Sequence, residues 1–236
     1  MKMLSLFSGL GGFELAGSMF GVEPVAASEI EPFCIRVTQE RFPNMKHLGS
    51  VTEINGAEIE PVDICCFGSP CQDLSVAGAQ KGIHDGERSS LFFEAIRIIK
   101  EMREHDRTVN GRTGVDVRPR WVVFENVPGL FNSNHGDDFL AVLKAFCNIC
   151  DETADVPRPS GRKKWSTAGC IVGNGYSFAW RVLNAATYGV AQRRQRVYVV
   201  GDLGSERAGK VQFIGESMPW SAPPRGKQRK DVATNA

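Results

Sequence analysis

A cysteine stands directly behind a proline in "GSPCQ" (68–72), where an apolar run gives way to a polar turn. Pro70 fixes one backbone angle and offers no amide donor, so the Cys71 thiol is presented rigidly. Such a thiol has two uses. It can pack as a small hydrophobe, which is the expectation for Cys65 and Cys66 inside "VDICCFG" (62–68). Alternatively it can ionise and attack, which requires positive charge or a polar, partly exposed setting. A turn position between Pro70 and Gln72 favours attack. Two other groups could serve that chemistry. Glu125 closes the apolar run "VVFEN", where partial desolvation would suit a general acid; taken alone it could as well fix a neighbouring loop. Arg193, Arg194 and Arg196 of "QRRQR" (192–196) precede another apolar run and could grip a phosphate or a base carbonyl, or remain surface charges.

A second constellation lies nearer the N-terminus. "FSGLGG" (7–12) is a glycine-rich turn between an apolar run and a helical pattern. Glycines let a backbone approach a ligand closely, and the following helix start offers unpaired N–H groups. A plain tight turn would need the same residues. Glu29 tips the balance, because an acid about 20 residues on, at the end of the next strand, can accept hydrogen bonds from ribose hydroxyls. "CNIC" (147–150) with Cys170 supplies three thiols without a clear fourth ligand, so no metal is expected.

These groups need a scaffold that brings loop ends together. "MKMLSLF" (1–7), "PVAASEI" (24–30), "VDICCFG" (62–68) and "RWVVFENV" (120–127) read as buried strands. "FELAGSMF" (13–20), "PFCIRVTQERF" (32–42), "LFFEAIRIIKEMRE" (91–104) and "DDFLAVLKAF" (137–146) read as the helices between them, with Ser89 or Ser90 capping the third. The alternation predicts an α/β, doubly wound, mostly parallel sheet, whose ligands collect at the carboxyl ends of the strands. "YSFAWRVLNA" (176–185) and "RVYVVGDL" (196–203) read as further strands. Residues 147–177 lack periodicity and read as an inserted surface loop, and 205–236 as an extended or disordered tail behind a catalytic domain at 1–204.

Composition excludes little. Of 236 residues, 42% are hydrophobic and 23% charged, as in an ordinary globule, and the formal net charge of +1 announces no nucleic-acid partner by itself. The basic runs "RPSGRKK" (158–164) and "RGKQRK" (225–230) read as solvated. No apolar stretch reaches the roughly 20 residues of a membrane span, and seven irregularly spaced cysteines without a signal peptide fit reduced thiols in a cytoplasm.

Taken together, the motifs resemble those of the DNA cytosine-C5 methyltransferases. "LFSGLGGF" (6–13) is similar to the family's cofactor turn, "SEIE" (28–31) to its acidic second motif, "GSPCQDLSVAG" (68–78) to its nucleophile motif, "FENV" (124–127) to its acid motif and "QRRQRVYVVG" (192–201) to its arginine motif, all in family order. The resemblance implies an S-adenosylmethionine-dependent, Rossmann-like enzyme, bacterial or phage-encoded, that methylates cytosine flipped out of double-stranded DNA, as in restriction–modification. It makes Cys71 the thiolate that adds to C6, Glu125 the acid at N3, Arg196 the contact to O2 and Arg194 a second positive charge. It carries cofactor binding onto Phe7, Gly9, Gly11, Gly12, Glu29, Ile30, Ser50, Val51 and Leu91, and DNA contacts onto Pro70, Gln72, Ser75 and Gly78, the last two within the loop (73–87) that corresponds to the family's mobile segment. Three departures stand out. Ser5 replaces an acid usual two residues before the Phe, and Ser50 an acid that contacts the adenine amine, so weak cofactor binding is expected. The family also continues past the arginine motif into a target-recognition domain and a closing helix, which implies a fragment or one chain of a split enzyme with a second chain as partner. The rivals are the tRNA-directed branch, which shares the motifs but differs from "GSPCQDLS" at the nucleophile, and a non-catalytic relative that binds DNA or a partner.

Overall fold

The computed structural model describes residues 1–70, 91–159 and 164–213. The chain runs β1 (Lys2–Leu6), α1 (Gly12–Met19), β2 (Glu23–Ser28), α2 (Pro32–Arg41), β3 (Lys46–His47), β4 (Ile64–Phe67), α3 (Leu91–Thr108), β5 (Trp121–Asn126), α4 (Asp137–Cys147), β6 (Ala168–Gly173), β7 (Tyr176–Asn184), β8 (Gln195–Asp202) and α5 (Ala208–Phe213). One eight-stranded sheet has the order β3-β2-β1-β4-β5-β8-β7-β6. The pairings among β3, β2, β1, β4 and β5 are parallel; those of β5 with β8, β8 with β7 and β7 with β6 are antiparallel. The doubly wound, mostly parallel α/β architecture read from the sequence is therefore present, and the strand order reverses between β1 and β4.

Strand alternation sorts the side chains onto two faces. Leu4, Leu6, Cys65 and Phe67 join the main core, where Phe67, Phe92 and Phe146 from sheet, α3 and α4 pack with ring centroids 5.7–6.1 Å apart. Met3, Ser5 and Cys66 point to the other face, where Met3 would meet a Cβ on Gly17 of α1 at 3.0 Å. α3 forms because apolar residues recur at helical spacing; Phe92, Ala95, Ile96, Ile99 and Met102 are buried along one side.

Two expectations need correcting. The supposed loop at 147–177 contains β6, an edge strand in register with β7 from Ala168↔Arg181 to Gly173↔Tyr176. Trp165 is also anchored, with its ring 5.1 Å from that of Phe139 and Nε1 donating to the Gly136 carbonyl at 2.9 Å. The supposed tail begins with α5, held by the Ala208 amide donating to Ser177 Oγ at 3.0 Å. The remainder of the tail, the loop at 73–87, and Ser89 and Ser90 lie outside the described residues. Among the described residues no helix is long and apolar enough to cross a membrane.

Candidate active site

β1 ends at Leu6, and the chain turns at once into the left-handed region at Phe7 (φ 56°), Gly9 (φ 54°) and Gly11 (φ 82°). A bulky non-glycine residue rarely adopts that conformation, and such strain collects at functional sites. The Gly11 amide donates to the Ser8 carbonyl at 3.0 Å, and Gly11 then caps α1. A Cβ at Gly11 would strike Thr38 at 3.0 Å, so that glycine serves packing against α2. A Cβ at Gly9 or Gly12 would meet nothing within 4 Å, which leaves the backbone open to a ligand.

Glu29 ties this turn to the end of β2. Its Oε2 accepts from the Gly9 amide at 2.7 Å, and its Oε1 accepts from the amides of Ile30 and Glu31 at 2.8 and 2.9 Å. A carboxylate has about four acceptor positions. Three are used by backbone, which leaves an acceptor position for a ribose hydroxyl. Ile30 projects into solvent, 72% exposed, beside this edge. Ser28 Oγ donates to the Gly49 carbonyl at 2.6 Å and so brings up the segment carrying Ser50 and Val51. Ser50 caps a 3-10 turn with its hydroxyl 2.7 Å from that of Thr52, and Val51 is buried. Arg97 of α3, ion-paired at 2.8 Å with Glu94 and Glu101, donates to the carbonyls of Val51 (3.1 Å) and Ile54 (2.9 Å) and fixes that segment. Leu91 opens α3, half-buried against the core.

The second half of the site lies two strands away, at the ends of β4 and β5. Glu125 accepts from Arg196 Nε at 2.8 Å on Oε1, and Arg194 stands 3.8 Å from the same oxygen. The antiparallel register accounts for this. Glu125 opposes Tyr198 and Asn126 opposes Val197, so β8 begins at the edge where β5 ends. The expected apolar setting of Glu125 is thus a pair of arginines, with its side chain 23% exposed and that of Arg194 52%. Glu125 Oε2 faces Gly68, where a Cβ would come within 3.1 Å. Asn126 Nδ2 donates to the Ser69 carbonyl at 3.4 Å and latches the segment leading to Pro70, which is exposed, onto β5. Cys71, Gln72, Ser75 and Gly78 lie outside the described residues. Arg194 and Arg196, but not Arg193, lie within ion-pair distance of Glu125.

The thiols inside the sheet are unsuited to attack. Burial pushes Cys65 up to about 12, and burial, reinforced by Cys65 and Glu14, pushes Cys66 well above the ordinary thiol value. Cys66 Sγ instead donates to Met3 Sδ at 3.5 Å. Cys147 is buried, Cys150 half-buried and Cys170 exposed. Among the described residues no group of three or more His, Cys, Asp or Glu is placed to hold a metal.

Sequence reasoning missed the latch from Asn126, the close approach at Gly68, and Tyr198, whose hydroxyl is raised by burial and then by the facing Glu125 carboxylate. A glycine closing a strand before Ser-Pro could have signalled the close approach.

The sequence matches the model of the family described as C-5 cytosine-specific DNA methylase over residues 1–149 and 171–230. The Type II methyltransferase M.HhaI of Haemophilus parahaemolyticus is 32% identical over 200 residues, covering 85% of this chain and 48% of that protein. The orphan methyltransferase M.Rho11sI of Bacillus phage rho11s is 30% identical over 205 residues, covering 85% and 33%. A DNA N-6-adenine-methyltransferase of Escherichia phage P1 is 32% identical over 252 residues, covering 98% of this chain and 32% of that protein. The chain thus spans 32–48% of the length of these relatives. Among solved structures, a putative DNA modification methyltransferase from an E. coli prophage superposes with a TM-score of 0.55 at 21% identity, over 86% of this chain and 46% of that one. The S. pombe Dnmt2 methyltransferase also reaches 0.55, at 16% identity over 87% and 50%.

Proposed function

Because the chain belongs to the C-5 cytosine-specific DNA methylase family, we propose that it is the catalytic part of a DNA cytosine-C5 methyltransferase. The observation that carries this reading is the meeting of three segments at one sheet edge. The chain that runs through Ser69 and Pro70 into Cys71 is latched by Asn126 beside a Glu125 carboxyl ion-paired with Arg196. Cytosine C5 is a poor nucleophile and is out of reach in a duplex, so the base must be flipped out before reaction. The Cys71 thiolate adds to C6, which makes C5 electron-rich; Glu125 carries the proton shared with N3 while that charge develops. Arg196 reaches from the same edge toward O2, and Arg194 adds positive charge that favours thiolate over thiol. Loss of the C5 proton after methyl transfer releases Cys71.

The residues present fit S-adenosylmethionine, which when bound supplies an activated methyl group. The open backbone at Gly9 and Gly12 and the start of α1 receive it, the remaining acceptor position of Glu29 takes a ribose hydroxyl, and Phe7 and Ile30 offer apolar surface to the adenine. The substrate is double-stranded DNA, in the cytoplasm of a bacterial or phage-infected cell. Pro70, Gln72, Ser75 and Gly78 are the residues of the nucleophile segment that meet the DNA. A partner carrying a target-recognition domain supplies sequence choice, either as the remainder of a longer chain or as a second chain.

The name of the phage P1 relative favours a second reading, methylation of adenine N6. An exocyclic amine carries its own lone pair and needs no thiol adduct, so the Cys71–Glu125–Arg196 arrangement would have no task there. The test uses this chain joined to or complemented by a family recognition domain, with DNA containing 5-fluorocytosine. A stable covalent adduct should form with the wild-type sequence and not with Cys71→Ser. An adduct that survives Cys71→Ser, or N6-methyladenine as the only methylated nucleoside from ordinary DNA, would refute the reading.

A further inference from the structure

The cofactor turn rests on a buried carboxyl that the scheme above does not use. Glu14 lies in the first turn of α1 and is completely buried, on the sheet face opposite the aromatic core. Neither of its oxygens accepts a hydrogen bond, and the buried hydroxyls of Ser5 and Ser8 are likewise without partners. Ser5 comes from β1 and lies beside the carboxyl, while Ser8 belongs to the turn itself, whose Gly11 would place a Cβ 3.9 Å from Glu14 Oε2. Buried polar groups nearly always find partners, so a cluster lacking them under a ligand turn asks for an explanation.

The surroundings of Glu14 define what is missing. Burial is the largest influence and raises its proton affinity above the ordinary carboxyl value; Glu29 at the end of β2 raises it further. Cys66 on β4 is the other titratable neighbour. Ser5 and the Glu14 amide approach without completing hydrogen-bond geometry and favour the ionised form less strongly. On the α2 side, Thr38 and Phe42 lie against Gly11 of the turn. The N-terminus of α1 favours an anion here, yet no basic side chain among the described residues acts on the carboxyl. Among the described residues nothing supplies this buried acid with a counter-charge.

We propose that Glu14 is a positioning residue of the cofactor turn, supplying from beneath it the negative charge that offsets the cationic methionyl-sulfonium end of S-adenosylmethionine. The inference rests on the cofactor reading above. Entry of the cation favours the carboxylate, so proton held by the Glu14 carboxyl passes to solvent. No bond of the cofactor changes.

Calorimetry on the 236-residue chain, in buffers of different ionisation enthalpy from about pH 5 to about pH 8, tests this. S-adenosylmethionine binding should release up to about one proton and tighten as pH rises through the carboxyl's raised value. Glu14→Gln should abolish the release and weaken S-adenosylmethionine about ten-fold, leaving binding of uncharged 5′-methylthioadenosine unchanged. Ser5→Asp combined with Glu14→Gln returns a carboxyl to the same buried cluster from β1 and should restore the affinity. Equal weakening of both ligands by Glu14→Gln, or unaltered proton release, overturns the proposal. If Glu14→Gln does not fold, infrared difference spectra of the wild type decide: loss of a protonated-carboxyl band on cofactor addition supports it, and no loss overturns it. Wild-type protein that binds 5′-methylthioadenosine but not S-adenosylmethionine overturns the charge argument alone; binding of neither ligand removes the cofactor reading and this inference together.

Discussion

At the scale of single residues, the site depends on one missing side chain as much as on those present. Gly68 leaves the space into which Glu125 Oε2 projects; a methyl there would sit 3.1 Å from that oxygen and 3.4 Å from the Glu125 carbonyl. The carbonyl belongs to β5 and cannot yield, so the carboxyl would have to swing from Arg196. Misplacing a catalytic group by about 1 Å costs on the order of 100-fold in rate. Gly68→Ala should therefore lower kcat for methyl transfer by about 10- to 100-fold while S-adenosylmethionine binding, two strands away at Glu29, stays within about two-fold. Steady-state methylation beside calorimetric cofactor binding checks this, and equal losses in both would mean that the whole edge, rather than Glu125, had moved. Arg196→Lys is a companion test. Lysine keeps the charge but loses the planar fork that holds Glu125 at 2.8 Å, so kcat should again fall, by about ten-fold, with little change in melting temperature.

At the scale of elements, β5 and β8 carry an arginine–carboxylate pair at each end, and the two serve different ends. The pair remote from the site is Arg120–Asp202, bidentate at 3.0 Å, with Asp202 completely buried and further held by Ser205 Oγ at 2.6 Å and the amides of Gly204 and Ser205 at 3.1 Å. Burial alone would raise the Asp202 carboxyl, but the Arg120 and Ser205 hydrogen bonds outweigh it and leave it below the ordinary value. Arg120→Ala leaves that carboxylate uncompensated and should cost about 3 kcal/mol, lowering the melting temperature by roughly 6–12 °C. A depressed folded-state value stabilises above the unfolded value and is lost as pH falls through the folded one. The gap between wild type and variant should accordingly be constant above about pH 5 and shrink below about pH 4; thermal melts across that range would expose a gap that instead widens in acid. The same elements show what the sequence could reveal. β1, β2, β4 and β5 are legible because parallel strands buried on both faces are continuous apolar runs ending in turn residues. β6 is not, since "AGCIVG" reads as loop; its glycines make room for rings, a Cβ at Gly169 falling 2.2 Å from Trp180 and one at Gly173 2.1 Å from Tyr176. Glu14 reads as an ordinary first-turn acid, and only the packing of α1 on Ser5 buries it. The two ends of the site were legible as motifs, but the latch of Asn126 on Ser69 is a tertiary fact with no local signature.

At the scale of the molecule, the question is what a catalytic edge of this kind can do with DNA unaided. Phosphate neutralisation by Lys and Arg supplies most non-specific affinity, and base identity is read chiefly by groups placed in the major groove. The formal net charge is +1, with 28 basic against 27 acidic residues, so net charge supplies no cationic field around the molecule. Local charge at the site is real, but Arg196 is engaged with Glu125, which leaves the exposed Arg193 and Arg194 at this edge. The segment that the family match leaves out, between 149 and 171, offers Trp165. That ring, however, is committed to Phe139, Trp180 and the Gly136 carbonyl rather than presented to a groove. Base readout requires side chains locked by their surroundings. The 236-residue chain alone should therefore bind duplex DNA weakly and without sequence preference, with affinity falling steeply with salt, and transfer little or no methyl. Adding a chain that carries a family recognition domain should bring both affinity and a defined target. Bisulfite sequencing of DNA exposed to the purified chain with S-adenosylmethionine, with and without that second chain, measures the contrast. Methylation by the single chain confined to one short motif would mean that the residues of this edge, or of the segment beside Trp165, already read sequence, and the division of labour argued here would fall.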